Sequence, residues 1–273
     1  MKGKALAISP RSVIDLLAER YGNEEIDWET LLESAYRAFL GPQSHVLDIG
    51  AHLGRHADVM IRELGCARVD LVEPLPYHAA ELRERYQDRP EQVRVHACAL
   101  GRDTGRVPFL WNGDAPEESG LRRRRYSDPE ATYIVELEVE LRRLDDLAAD
   151  FTRLDFIKMD TEGGEMDILD AGRQTLSRFR PLLSVEWGAD SYEVYGKTQN
   201  MLFEFAQSTD FVICDLFGHP FLSEQAWADG ADRYYWDFFM VPRERLASVV
   251  IALSGQLARL DPEIASVVQQ RAR

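Results

Sequence analysis

Hydrophobic and polar positions follow two different spacings in turn along most of the chain. Short apolar runs typical of strands are separated by stretches in which apolar residues recur every three or four positions, as in helices. Strands are predicted at residues 45–49, 69–72, 93–97, 107–111, 133–141, 156–159, 182–186, 211–215 and 234–241. Helices are predicted at residues 9–20, 27–39, 54–65, 78–87, 164–171 and 198–208. This alternation predicts an α/β fold, in which helices cover both faces of a parallel sheet.

The same pattern divides the chain into a central domain and two helical additions. We expect an N-terminal helical extension over residues 1–42, a central domain over 43–242 and a C-terminal helical tail over 243–273. The polar stretch 112–130 is rich in Gly, Pro and Arg and is predicted to be a mobile loop or flap. Apolar residues of the tail share one helix face, which is typical of a core contact or a dimer seam. They are Leu246, Val249, Val250, Leu253, Leu257 and Leu260.

Composition and charge narrow the class of partner. The 273 residues carry a formal net charge of −15, which repels a phosphate backbone and argues against nucleic acid as a partner. The 3 cysteines are too few and too scattered for a disulfide framework or a Cys-rich zinc site, so a reduced, cytoplasmic location is expected. Apolar runs stay below the ~20 residues of a membrane-spanning helix, and the first residues lack the apolar core of a signal peptide.

The first chemical motif is a glycine turn between the strand 45–49 and the helix after it. It reads Asp48-Ile49-Gly50-Ala51-His52-Leu53-Gly54. A nicotinamide-binding turn would have glycine at the position of His52, so that match fails. Glycines at a strand end let backbone amides approach a ligand, and an acidic residue before them suits a ligand with an ammonium and a sulfonium group. The alternative is a structural turn with a capping Asp48.

Further carboxylates follow the ends of other predicted strands, where an open α/β sheet forms its ligand crevice. Glu73 is placed to accept the hydroxyls of a ribose, although a solvated strand-end acid is the alternative. Lys158 and Asp160 share one strand face and are expected to pair, and Glu162 precedes two glycines. Glu186 and Trp187 suit a substrate pocket. The alternative is that Trp187 is buried in the core and Glu186 is an exposed acid beside it.

Two other candidates have plainer explanations. His52 and His56 have the spacing of metal ligands on one helix face, but this spacing is more often structural. The run of arginines at 122–125 is interpreted as a solvated loop or a clamp for an acidic substrate.

Taken together, these motifs resemble the FkbM-type family, a branch of the class I S-adenosylmethionine-dependent methyltransferases. The resemblance covers roughly residues 44–190. It rests on VLDIGAHLG (46–54), VEP (72–74), ALG (99–101), LDDL (144–147) and IKMDTEGGE (157–165). It implies a Rossmann-like sheet of seven strands whose last strand, predicted at 234–241, runs antiparallel. The cofactor-binding residues that it implies are Asp48, Gly50, Ala51, His52, Gly54, Glu73, Cys98, Ala99 and Asp160.

The function that the resemblance implies is O-methylation of a hydroxyl on a small molecule, such as a sugar, a polyketide or another natural product. An alcohol must lose its proton, and the candidate bases are Asp160, Glu186, Glu162 and His52. Alternatively, Asp160 and Glu186 hold Mg²⁺, which would lower the pKa of the acceptor. The rival hypotheses are a non-catalytic S-adenosylmethionine-binding module and a nicotinamide-dependent dehydrogenase. A homodimer through the terminal helices is also expected.

Overall fold

The structure is a computed structural model, and it describes residues 27–123, 133–231, 233 and 235–260. The predicted helix 9–20 and the residues after 260 lie outside this part. The strands, in chain order, are β1 (His45–Ile49), β2 (Arg68–Val72), β3 (Val93–His96), β4 (Ala99–Leu100), β5 (Gly105–Asn112), β6 (Ile134–Arg142), β7 (Phe156–Met159), β8 (Leu182–Glu186), β9 (Phe211–Cys214) and β10 (Asp237–Pro242).

Helices occupy most of the connections between these strands. They are α1 (Trp28–Tyr36), α2 (Arg55–Asp58), α3 (Pro76–Arg85), α4 (Leu144–Leu147), α5 (Glu165–Ala171), α6 (Arg173–Phe179), α7 (Ala189–Tyr192), α8 (Asn200–Ser208), α9 (Glu224–Gly230) and α10 (Leu246–Leu260). The predicted helix 54–65 begins as α2 and continues as a π-helical turn, Val59–Glu63. Helix α1 begins where the Asp27 carboxylate accepts a hydrogen bond from the amide of Thr30 at 3.0 Å.

The main sheet has seven strands in the order β3-β2-β1-β7-β8-β10-β9. Strands β3, β2, β1, β7 and β8 pair in parallel, whereas β10 pairs antiparallel with both β8 and β9. The expected seven-stranded α/β sheet with an antiparallel last strand is therefore confirmed. Because the parallel strands point the same way, their carboxyl ends meet at one edge.

Two of the predicted strands are not part of the main sheet. Strands β5 and β6 pair antiparallel over eight residues and form a separate three-stranded sheet with the short β4. Alternate positions of β6 carry glutamates, namely Glu136, Glu138 and Glu140, so one face of this hairpin is polar. A central strand of the main sheet needs two apolar faces, which explains why this pair lies outside it.

The C-terminal helix α10 packs on the domain. Val249 and Leu253 are 3% and 0% exposed and belong to the main core, and they lie on the apolar face that the sequence predicts. In the described part of the tail, this face therefore makes a core contact. Within the same described residues, no helix combines the length and apolar composition needed to cross a bilayer.

Candidate functional site

A cavity of about 420 Å³ opens at the carboxyl ends of β1, β2, β7 and β8. Most of the residues predicted from the sequence line it: Gly50, Ala51, His52, Glu73, Cys98, Ala99, Asp160, Glu162 and Glu186. Two predicted residues, Asp48 and Gly54, stand outside the lining that the described residues form. The lining also includes residues that the sequence does not single out, among them Glu29, Arg55, Phe109, Glu117 and Leu121.

The glycine turn after β1 brings the backbone of two strands close together. Gly50 has a φ of +84°, and a Cβ atom there would lie 1.8 Å from the carbonyl oxygen of Asp160. The amides of Gly50 and Ala51 both donate to the carbonyl oxygen of Val72 at 3.0 Å. The fold itself therefore uses the N–H group of each residue, and cofactor binding at Gly50 and Ala51, which both line the cavity, stays a prediction. Gly50 is needed for close approach to β7.

Asp48 lies inside the protein under this turn, with a side chain that is 1% exposed. Among the described residues, neither of its carboxylate oxygens has a hydrogen-bond partner. Burial raises the pKa of Asp48. Gly54 has a φ of +84° and begins α2, and a Cβ atom there would lie 3.0 Å from both Leu82 and Tyr86. Asp48 and Gly54 thus support the turn from the side that does not face the cavity.

Glu73 at the end of β2 is buried and fixed by two backbone amides. Its Oε2 accepts from the amide of His52 at 2.9 Å, and its Oε1 accepts from the amide of Leu75 at 2.8 Å. Burial raises the pKa of Glu73 to about 7, and the two hydrogen bonds counteract only part of this effect. The turn and the β2 end are thus held together by one carboxylate at the cavity wall.

Lys158 and Asp160 form the ion pair that the strand alternation predicts. The Lys158 Nζ lies 2.8 Å from the Asp160 Oδ2, and the lysine side chain is 3% exposed. Burial opposes the charge of Lys158, but Asp160 and Asp48 outweigh it and raise the lysine pKa. Burial likewise opposes the ionisation of Asp160, yet Lys158 and a hydrogen bond with Glu186 lower the aspartate pKa overall.

The pKa of Glu186 is shifted in the opposite direction. Burial and the charge of Asp160 raise the pKa of Glu186 well above its ordinary value. Of the two neighbouring acids, Asp160 is therefore the one whose surroundings favour the ionised form. The neighbouring Trp187 is 1% exposed and donates from its indole to the carbonyl oxygen of Gln199 at 3.0 Å, so it is a core residue.

Glu162 completes a group of three carboxylates with Asp160 and Glu186. One oxygen of each lies within 4.8 Å of the others. Glu162 has a φ of 59°, and its carboxylate accepts from the Ser191 hydroxyl at 3.1 Å. A Cβ atom at the next residue, Gly163, would lie 2.3 Å from the carbonyl oxygen of Ser191. The glycine after Glu162 thus lets this turn contact α7.

His52 and His56, which have the sequence spacing of metal ligands, contact different partners. The His52 ring packs edge-on against His78 at 4.6 Å between ring centroids, and burial lowers the pKa of His52. Within the described chain, the His52 Nε2 has no hydrogen-bond partner. The His56 Nε2 instead lies 2.7 Å from the Glu29 Oε2. The i,i+4 spacing is therefore structural.

The described part of the predicted flap is tied to the small sheet. Leu110 and Gly120 exchange backbone hydrogen bonds at 2.9 and 3.1 Å, and Leu121 then reaches the cavity. The Arg122 guanidinium stacks 4.9 Å from the centroid of the Tyr195 ring. Arg124 and Arg125 lie outside the described residues.

Comparison with known proteins gives one family and two curated relatives. A family model for the methyltransferase FkbM domain matches residues 48–213, which is more than half of the chain. The 2-O-methyltransferase NoeI of Sinorhizobium fredii is 28% identical over 163 residues, covering 56% of this chain and 67% of that protein. The methyltransferase sdnD of Sordaria araneosa is 24% identical over 151 residues, covering 45% of this chain and 58% of that protein.

Comparison with solved structures finds the methyltransferase FkbM from Methylobacillus flagellatus, with a TM-score of 0.48 at 20% identity, covering 74% of this chain and 44% of that one. The residues that precede position 48, including Glu29, lie outside the family match.

Proposed function

The chain belongs to the FkbM methyltransferase family, and from this premise we propose that it transfers a methyl group from S-adenosylmethionine to a hydroxyl oxygen of a small molecule. The observation that carries this proposal is the meeting of the glycine turn, Glu73 and the Asp160–Glu186 pair in one cavity. The family match supports methyl transfer, and the printed name of one relative, a 2-O-methyltransferase, supports oxygen as the acceptor atom.

The lining residues fit the chemistry of this cofactor. Glu73 is proposed to accept the ribose hydroxyls, since each carboxylate oxygen has a second lone pair beyond its backbone hydrogen bond. Cys98 and Ala99, which follow β3, are proposed to lie beside the adenine. The unpartnered Nε2 of His52 supports a polar ligand at the turn, as judged from the described residues. Asp48 and Gly54 do not line the described cavity and are proposed to support the glycine turn rather than to contact the cofactor.

S-adenosylmethionine would supply an electrophilic methyl group on a sulfonium, and Asp160 is proposed as the base. With the cofactor bound, the acceptor oxygen would take this methyl group as the sulfonium becomes a neutral thioether, and Asp160 would take the hydroxyl proton. Asp160 is preferred over Glu186 because the surroundings of Asp160 lower its pKa and favour the ionised form that accepts a proton, whereas those of Glu186 raise its pKa. Lys158 holds the Asp160 carboxylate in place at 2.8 Å. Glu162 and His52 are the remaining candidates, and each lines the cavity.

The three carboxylates also have the donor type that Mg²⁺ prefers. Asp160, Glu162 and Glu186 would hold the ion, which would lower the pKa of a bound hydroxyl. The Lys158 ammonium lies 2.8 Å from the Asp160 carboxylate and already compensates the charge of one of the three acids, which supports the metal-free arrangement. Full turnover in EDTA is therefore expected, whereas loss of turnover that Mg²⁺ restores would assign the metal arrangement.

The acceptor class is proposed to be hydroxylated natural products, including sugars and polyketides. Incubation with S-adenosylmethionine that carries an isotopically labelled methyl group, followed by mass spectrometry, tests a panel of such alcohols. A labelled methyl ether on one acceptor is the expected result. Labelled product on nitrogen or carbon alone would contradict O-methylation.

The rival hypotheses make different predictions in the same assay. A non-catalytic module would bind S-adenosylmethionine tightly and label no acceptor. Retention of three convergent carboxylates supports an enzyme over such a module. A nicotinamide-dependent dehydrogenase would bind NAD instead, and His52 in place of the second glycine of that motif counts against it.

A further inference from the structure

The amino-acid end of S-adenosylmethionine needs partners that the family motifs do not provide. This end is a zwitterion, with an ammonium and a carboxylate on one carbon, so it calls for an acidic and a basic group. The sequence points to Asp48 for the ammonium. Asp48, however, is 1% exposed and stands outside the described lining of the cavity. A carboxylate of the cavity wall is therefore better placed for this role than Asp48.

Glu29 on helix α1 is a carboxylate of the cavity wall that is held in a fixed orientation. Its Oε2 lies 2.7 Å from the His56 Nε2. The other ring nitrogen of His56, Nδ1, lies 3.1 Å from the hydroxyl of Tyr36, which is 0% exposed. The buried tyrosine and histidine thus position Glu29, whose side chain remains 42% exposed.

Arg55 supplies the matching cation on the same wall. It begins α2, directly after the glycine turn, and lines the cavity. Its Nε donates to the Glu33 Oε1 at 2.6 Å and its Nη2 lies 3.6 Å from the Asp27 Oδ1, so the Nη1 side of the guanidinium faces neither of these carboxylates and is the part proposed to meet a ligand. Its side chain is 54% exposed, so a carboxylate at the cavity mouth can reach it.

The position of this pair fits the direction in which the cofactor must extend. The groups proposed for adenosine, Glu73 and Cys98, follow β2 and β3, which lie on one side of β1. Glu29 interacts electrostatically with Lys158 and Asp160 on the β7 side of β1. A ligand with its adenine near β3 would therefore place its other end near Glu29 and Arg55.

We infer that Glu29 and Arg55 bind the amino-acid end of S-adenosylmethionine. Glu29 binds the ammonium group of the ligand, and Arg55 binds its carboxylate. The inference rests on the proposed cofactor. It makes α1 part of the cofactor site, although α1 precedes the residues that match the family. Neither residue takes part in the transfer step, and His56 acts only by positioning Glu29.

Two thioether ligands test the assignment without any acceptor. S-adenosylhomocysteine carries the amino-acid end, whereas 5′-methylthioadenosine lacks it and keeps the adenosine. Calorimetric titration of Glu29→Gln and of Arg55→Gln is expected to show about 10-fold or more weaker binding of S-adenosylhomocysteine, the loss typical of one hydrogen bond to a charged group. Binding of 5′-methylthioadenosine is expected to stay at the wild-type level.

Glu63→Gln is the matched control, because Glu63, like Glu29, is a carboxylate paired with a basic side chain, here Arg37, but does not line the described cavity. It should leave both affinities unchanged. Wild-type affinity of Glu29→Gln for S-adenosylhomocysteine would overturn the inference, as would an equal loss for both ligands. If the wild-type protein binds neither ligand, the proposed cofactor fails as well, so the two failures are distinguishable.

Discussion

At the scale of single residues, the site depends on one buried lysine shared among several carboxylates. Lys158 contacts Asp160 directly and interacts with Asp48 and Asp237 through its charge. One ammonium cannot neutralise three carboxylates: the pKa of Asp160, its direct partner, is lowered, whereas burial raises the pKa values of Asp48 and Asp237. Burial and the charge of Asp160 raise the pKa of Glu186 as well. The two acids therefore have different roles in the proposed reaction.

Asp160→Asn should lower kcat by about 10²–10⁴-fold, the usual contribution of a general base. The amide keeps the shape of the side chain but does not take the hydroxyl proton. Turnover is measured with saturating S-adenosylmethionine on an acceptor found in the labelling assay, and titration with S-adenosylhomocysteine checks that the site is intact. Turnover of Asp160→Asn at the wild-type rate would remove this residue as the base.

Asp237→Asn should stabilise the protein at high pH without affecting it at low pH. Burial raises the pKa of Asp237 to about 7 from 3.8, so the folded protein retains a proton that the unfolded chain loses. The contribution of Asp237 to wild-type stability therefore falls as pH rises from about 4 to about 7 and is then constant. The expected gain at pH 8 is up to about 4 kcal/mol, at 1.36 kcal/mol for each pKa unit.

Urea unfolding of both proteins at pH 5 and pH 8, in EDTA and without ligand, measures this difference. The asparagine variant should show a smaller loss of unfolding free energy between the two pH values. A parallel pH dependence of the two proteins would show that Asp237 does not retain its proton in the fold.

Some of these residues could be predicted from the sequence and others could not. The Lys158–Asp160 pair follows from strand alternation, since residues two apart share one face. Glu29 and Asp237 gave no local signal, because their place beside Lys158 arises only when α1 and β10 pack near β7. The raised pKa of Glu186 likewise depends on burial, which sequence spacing does not reveal.

At the scale of elements, the turn between β1 and α2 is the most constrained connection at the site. Gly50 combines a φ of +84° with a close approach to the Asp160 carbonyl oxygen. Glu73 then joins the turn to β2 through the amides of His52 and Leu75. The strand ends are thus fixed relative to one another before any ligand binds.

Gly50→Ala should destabilise the protein by about 3 kcal/mol or more, from the cost of positive φ together with overpacking against β7. Gly41→Ala is the control, because a Cβ atom there meets nothing within 4 Å. Urea unfolding measures both variants, and the control should lie within about 0.5 kcal/mol of wild type. Equal effects of the two substitutions would contradict the close approach of Gly50 to β7.

The elements that sequence reasoning missed are short or atypical. Helices α6, α7 and α9 have seven residues or fewer, too few for a clear helical spacing. The strand ends of β1, β7 and β8 were predicted to the residue, since buried apolar runs between turn signals are distinct. The placement of β5 and β6 in a second sheet depends on tertiary pairing that spacing alone does not show.

At the scale of the whole molecule, α1 and α10 pack against the sheet and each other rather than extending from it. Tyr36 of α1 and Leu253 of α10 are both 0% exposed in the same core. The domain division at residues 42 and 242 stays a prediction, as does a homodimer through the terminal helices. A monomer mass in light scattering would contradict the dimer.

The central claim is that the cavity at the sheet edge takes an adenosyl cofactor. Thermal unfolding with S-adenosylmethionine, S-adenosylhomocysteine or NAD, each near 100 times an expected Kd, tests it most directly. Both adenosyl ligands should add about 2.7 kcal/mol of stability, a Tm increase of roughly 5–10 °C for a domain of this size, while NAD changes nothing. An increase with NAD alone, or none with either adenosyl ligand, would contradict the claim.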